Sequence, residues 1–203
     1  MATLIATAML GLTAAVPAHA EPQGDGMEQA PFKNPAGHFC VNRLPKKTAP
    51  RTKVHLKPTC YQTATEAIKD ATGGKITDAP VDGKGIGSPE FVAKINAYNE
   101  SARRDLAAGQ AANILVAALF QLEYYEGEVD YYTSPDPCNG WAWDIDLYGD
   151  WWDNRTSSVQ MYNNCAAILY QFSFYGDTYY VSTNFYEPYL GDFDNRTTSL
   201  QIL

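Results

Sequence analysis

Apolar positions along the chain fall into three regimes. Residues 1–20 are rich in Leu, Ala and Val, carry no charge, and close on Ala18-His19-Ala20. That is the layout of a signal-peptide core with an A-x-A cleavage site, which makes Glu21 the expected first mature residue. The stretch is too short and too diluted by Ala and Thr to be expected to span a membrane. From 21 to 37, Pro, Gly, Gln and Asn recur without a period, as expected of an unstructured tail.

A sparse, helical regime follows. Thr63-Ala64-Thr65-Glu66 has capping-box spacing ahead of Ala67 and Ile68, and Gly73-Gly74 supplies a stop, so one short helix is predicted. Ser88-Pro89-Glu90 resembles a second helix start. Phe91, Ile95, Tyr98, Ala102 and Leu106 then recur up to Gly109. That spacing is met equally by a helix packing on the next domain and by a flexible connector. The Pro-punctuated, basic stretch from Cys40 to Cys60 reads as a loop or short hairpin.

Beyond Ala112 the period changes. Residues 114–120 form a continuous apolar run that periodicity alone cannot assign. Alternation then sets in over Tyr124, Tyr125, Val129, Tyr131 and Tyr132, and again over Trp141, Trp143, Ile145 and Leu147. Turn signals at Glu126-Gly127, Pro135-Asp136-Pro137 and Tyr148-Gly149-Asp150 separate these runs, a spacing that suits an all-β sandwich. Five aromatic residues lie in 21–112 and twenty-one beyond, so the second part carries enough apolar mass for a core of its own. Three segments are therefore expected: 1–20, a signal peptide; 21–112, a small, loosely structured segment with short helices; and 113–203, the β domain.

Charge divides at the same place. Residues 21–112 hold ten acidic and thirteen basic side chains, net +3. Residues 113–203 hold thirteen acidic and two basic, Arg155 and Arg196, net −11. So acidic a domain repels nucleic acid and anionic membrane and attracts cations. Four cysteines and no C-x-x-C in an exported chain point to two disulfides. Three connectivities are formally open; the division into halves favours Cys40 with Cys60 and Cys138 with Cys165. An extracellular, disulfide-bonded protein is expected.

An internal repeat carries the chemistry. Asp153-Asn154-Arg155-Thr156-Ser157-Ser158 returns forty-one residues later as Asp194-Asn195-Arg196-Thr197-Thr198-Ser199. One supersecondary unit used twice explains such self-similarity, and the interval holds the four strands of a Greek key. Carboxylate, amide, hydroxyl and turn carbonyl oxygens form the hard donor set that calcium selects. As a bland alternative, the same residues make tight turns without an ion.

The repeat resembles the βγ-crystallin calcium motif, N/D-N/D-x-x-S/T-S, met at every specified position in both copies. The family's second mark, an aromatic, four residues, an aromatic, one residue and glycine, is met by Phe120, Tyr125 and Gly127. Before the second copy, Tyr170 and Tyr175 are followed at once by Gly176, and Asp177 stands where glycine is expected. The resemblance implies two Greek keys, about 113–162 and 166–203, forming a βγ-crystallin-like sandwich. It implies calcium ions shared between the loops, nominating Asp153, Asn154, the Arg155 carbonyl and Ser157 with Asp194, Asn195, the Arg196 carbonyl and Thr198. The layout also looks like that of secreted actinobacterial members, some grouped with inhibitors of extracellular metalloproteases and others with antimicrobial killer-toxin-like proteins. Both remain alternatives to a calcium-stabilised, non-catalytic protein.

Catalysis finds little footing. Outside the signal segment only His38 and His55 are present, and H-E-x-x-H, G-x-S-x-G and P-loop patterns do not occur. Acid pairs such as Asp144/Asp146 and Glu126/Glu128 are expected to be solvated surface. Trp151-Trp152 is expected to divide between core and surface rather than to stack a sugar.

Overall fold

A computed structural model describes residues 38–174, 176–181 and 186–203. The expected signal peptide, the tail and Tyr175 lie outside the described residues.

Eight strands beyond residue 113 build two keys. The first comprises β4 (Ile114–Leu122), β5 (Glu126–Ser134), β6 (Ala142–Asp146) and β7 (Ser158–Met161). The second comprises β8 (Ala167–Tyr170), β9 (Thr178–Val181), β10 (Tyr186–Glu187) and β11 (Ser199–Ile202). Each key lends its third strand to the other's sheet. One sheet runs β10-β7-β4-β5 and the other β6-β11-β8-β9, the expected sandwich of two Greek keys. Because each sheet is completed by the opposite key, neither key forms its sheet alone.

The segment expected to be loose is, from residue 38 onward, part of both sheets. β1 (Phe39–Arg43) pairs in parallel with β5, and β3 (Thr59–Tyr61) pairs with β1 on its far side. β2 (Arg51–Val54) pairs in parallel with β6. Cys40 stands opposite Cys60 in the β1–β3 ladder and is bonded to it, so the stretch expected as a loop or short hairpin is closed by an antiparallel strand pair. Strands of three to five residues separated by prolines show no period-2 signal, and the β-domain partners of β1 and β2 lie about ninety residues away in sequence. Cys138 and Cys165 form the second expected disulfide, joining the β5–β6 loop to the link between the keys.

The unassigned apolar run is β4, buried on both faces. Ile114, Val116, Ala117 and Leu119 face the core between the sheets. Leu115, Ala118 and Phe120 face a second core, under α1 (Ala64–Ala71) and α2 (Pro89–Ala107). A register shift between Leu115 and Ala117 puts Val116 and Ala117 on one side. Both helices start as the sequence predicts. Thr63 accepts from the Glu66 amide at 3.2 Å and Ser88 from the Phe91 amide at 3.2 Å. α2 is a helix rather than a connector, with Phe91, Ile95 and Ala102 buried. Asn99, buried on the same helix, accepts from the Leu115 amide at 2.8 Å and donates to the Leu115 carbonyl at 2.9 Å. A side-chain amide thus pairs both main-chain polar groups beside the bulge, where an unpaired group would cost stability.

Candidate metal-binding loops

The two repeat motifs lie side by side. Asn154 and Asn195 adopt left-handed backbone, φ 56° and 53°, which Asn tolerates better than most residues. That turn lets each loop reach across to the other. The Asn154 amide donates to the Thr197 carbonyl at 2.9 Å, and the Asn195 amide donates to the Thr156 carbonyl at 3.0 Å. Each motif is also tied to the first strand of its own key. Ser157 N–H donates to the Phe120 carbonyl, and Thr198 N–H to the Tyr170 carbonyl, both at 2.9 Å.

This frame sets fifth-position hydroxyls against second-position amides, crosswise. Ser157 Oγ lies 3.5 Å from Asn195 Oδ1 and donates to the Gln121 carbonyl at 2.8 Å. Thr198 Oγ1 lies 3.4 Å from Asn154 Oδ1. Asp153 and Asp194 stand next to these amides, each accepting from the neighbouring Asn at 3.1 and 3.0 Å. Burial pushes the Asp153 carboxyl above its ordinary pKa, partly countered by a hydrogen bond from Thr198. Asp194 Oδ1 is buried without a hydrogen-bond partner among the described atoms. The guanidinium groups of Arg155 and Arg196 pair with Glu128 at 3.3 Å and Asp177 at 3.0 Å. All eight nominated residues therefore meet in one paired structure. Among the described residues no three His, Cys, Asp or Glu side chains converge to hold an ion. The loops offer amide, hydroxyl and main-chain oxygens, with one carboxylate each.

Sixth-position serines, matched by the motif but not nominated, do a separate job. Ser158 Oγ donates to the Leu122 carbonyl at 2.6 Å and accepts from the Tyr125 amide at 3.1 Å. Ser199 Oγ donates to the Phe172 carbonyl and accepts from the Phe174 amide, both at 2.8 Å. Each serine pins the hairpin after the first strand of its key, and with it the Gln121 carbonyl beside Ser157. The early glycine of the second copy fits the same scheme. Gly176 has φ 83° and packs against Phe172, as Gly127, φ 79°, packs against Leu122. The second hairpin is one residue shorter and keeps its glycine, so Asp177 does not replace it. Trp152 is buried and Trp151 partly buried, dividing between core and surface as expected.

No protein-family profile matches the chain, and no curated protein matches it. Among solved structures, the N-terminal domain of protein S is 24% identical, over 43% of this chain and 94% of that domain, with a TM-score of 0.35. A βγ-crystallin domain from Clostridium beijerinckii is 15% identical, over 43% of this chain and 95% of its own, TM-score 0.34. One from Flavobacterium johnsoniae is 19% identical, over 43% and 93%, TM-score 0.34.

Proposed function

We propose that this chain is a secreted, non-catalytic calcium-binding protein, in which the ion is held between the two repeat loops and stabilises the sandwich. The observation that carries this reading is the crosswise approach of Ser157 to Asn195 and of Thr198 to Asn154. Oxygens about 3.5 Å apart are too distant for a good hydroxyl hydrogen bond, whereas calcium ligands at 2.3–2.6 Å from a common ion have about that mutual spacing. The Gln121 carbonyl beside Ser157 and the unpartnered Asp194 oxygen supply further hard donors for the same position. One site then takes Ser157 with Asp194, Asn195 and the Arg196 carbonyl. Its mate takes Thr198 with Asp153, Asn154 and the Arg155 carbonyl. Two disulfides support an extracellular setting, and no helix among the described residues is long and apolar enough to cross a membrane.

Sites with one carboxylate and several neutral oxygens belong with the weak extracellular modules, with Kd on the order of 0.1–1 mM. At a hundredfold excess over Kd, binding to the native state adds about 2.7 kcal/mol. For a domain of this size that corresponds to a rise of roughly 5–11 °C in melting temperature. Thermal melts in EDTA and in increasing calcium test the reading; a melting temperature indifferent to millimolar calcium refutes it. Thermolysin inhibition measured on the same samples separates it from the inhibitor alternative.

A further inference from the structure

The two loops are alike in sequence but not in what braces them. In each key the acid after the hairpin glycine holds the motif arginine: Glu128 after Gly127 holds Arg155, and Asp177 after Gly176 holds Arg196. The second pair is exposed, Asp177 at 72% of its side-chain surface and Arg196 at 36%, where solvent screens an ion pair to little net worth. Glu128, only 15% exposed, has three partners instead of one. Its Oε2 accepts from Trp151 Nε1 at 2.8 Å and from Arg155 at 3.3 Å, and its Oε1 meets His38 Nδ1 at 2.7 Å. The Arg155 guanidinium also stacks on the Trp151 ring, 3.9 Å from its centroid.

Position gives this cluster its meaning. Trp151 and Arg155 flank Asp153 and Asn154, so one carboxylate gathers both ends of the segment that carries the ligand oxygens. In the second motif Gly191-Asp192-Phe193 replaces Gly149-Asp150-Trp151-Trp152, and the indole donor is missing. His38 reaches Glu128 because it precedes β1, whose parallel register sets Phe39 beside Val129.

We propose that Glu128 is a positioning residue for the calcium ion held by the first loop, and that through His38 it ties this site to the strand contributed by the N-terminal segment. The proposal rests on the calcium reading above. A loop already fixed loses less freedom on binding, and removing a group that orients a ligand typically costs metal affinity 10–100-fold. The braced loop serves the site completed by Thr198; the site completed by Ser157 draws on the other loop.

Calcium titration calorimetry on the whole mature protein separates the two. Ser157→Ala leaves the Thr198 site to be read, and Thr198→Ala leaves the Ser157 site. Adding Glu128→Gln should weaken calcium binding about tenfold or more in the Ser157→Ala background and by less than about twofold in the Thr198→Ala background. Trp151→Phe, which removes one hydrogen bond and keeps an aromatic ring, should act in the same direction. Asp177→Asn should move neither site by more than about threefold. Melts in EDTA run alongside: a purely structural role lowers the calcium-free melting temperature and leaves the ratio of the two affinities unchanged, which would overturn the proposal. Equal weakening of both sites by Glu128→Gln overturns it as well. A wild-type protein that takes up no calcium removes the underlying reading too, and is distinguished because it shows before any variant is made.

Discussion

Asp130 gives the sandwich a pH dependence whose sign follows from its surroundings. It lies on β5, 2% exposed, and among the described residues it forms no salt bridge. Burial pushes its pKa up to about 8 from 3.8; hydrogen bonds from Tyr132 and Asn42 oppose the rise and the charge of Asp150 adds to it. Between those values the folded protein holds a proton that the unfolded chain releases. Stability is therefore highest at the acid end of this window and falls as pH rises, with a slope approaching 1.4 kcal/mol per pH unit, or about 2.7 kcal/mol between pH 5 and 7. Asp130→Asn keeps the shape: the amide oxygen accepts from Asn42 at the position now 2.5 Å away, and the amide nitrogen donates to the Tyr132 hydroxyl, now at 2.6 Å. Denaturant unfolding at pH 5, 6, 7 and 8 in EDTA measures both proteins without calcium linkage. The variant should lose most of the slope and gain stability at pH 7, retaining the smaller, same-signed dependence of half-buried Asp153. A wild-type slope that survives Asp130→Asn refutes the reasoning.

Two further expectations come from the loops and from the helix above β4. Ser157→Ala combined with Asn195→Ala should be markedly non-additive in calcium affinity, because both changes fall on one site, while Ser157→Ala with Asn154→Ala should damage both; additive losses in both pairs would mean two self-contained loops. Asn99→Ala leaves the buried Leu115 amide and carbonyl unpaired and should cost roughly 2–4 kcal/mol in thermal unfolding, far above an exposed helix change such as Glu100→Ala.

What the sequence discloses depends on how local each signal is. The repeat is legible because its chemistry lies in six consecutive residues, and the helix starts because Thr63 and Ser88 act within three residues of themselves. β4 is not, because a strand covered on both faces has no polar face to mark its period. β1 and β2 are short, interrupted, and held by parallel partners about ninety residues on, and β3 pairs antiparallel with β1, so the segment that contains them looks loose. The crosswise pairing of Ser157 with Asn195 follows from resemblance but not from spacing. The Glu128 cluster is out of reach altogether: its four members come from residues 38, 128, 151 and 155, and only the β1–β5 register brings the first of them near. The serines Ser158 and Ser199 sit inside the motif, where their pattern position was the available signal.

The N-terminal strands also break the symmetry that the repeat would otherwise impose. Two interlocked keys alone would leave β5, β6, β9 and β10 at the sheet edges, equivalent by pairs. β1 with β3 covers β5, and β2 covers β6; both covered strands belong to the first key. The new edge β2 carries Arg51 and Lys53, charges that discourage further pairing. The helices lie over the sheet that contains β4 and β5, again first-key strands. β9 and β10, of four and two residues, stay at the edges of the second key. Local opening is cheapest where fewest buried contacts must be broken, so the second key is expected to open first. On the proposed calcium reading, an ion shared between the keys would meet one loop braced through Glu128 and another held by the exposed Arg196–Asp177 pair and by the Arg196 bond to the Asp192 carbonyl at 3.0 Å, so its ordering effect should be greater in the second.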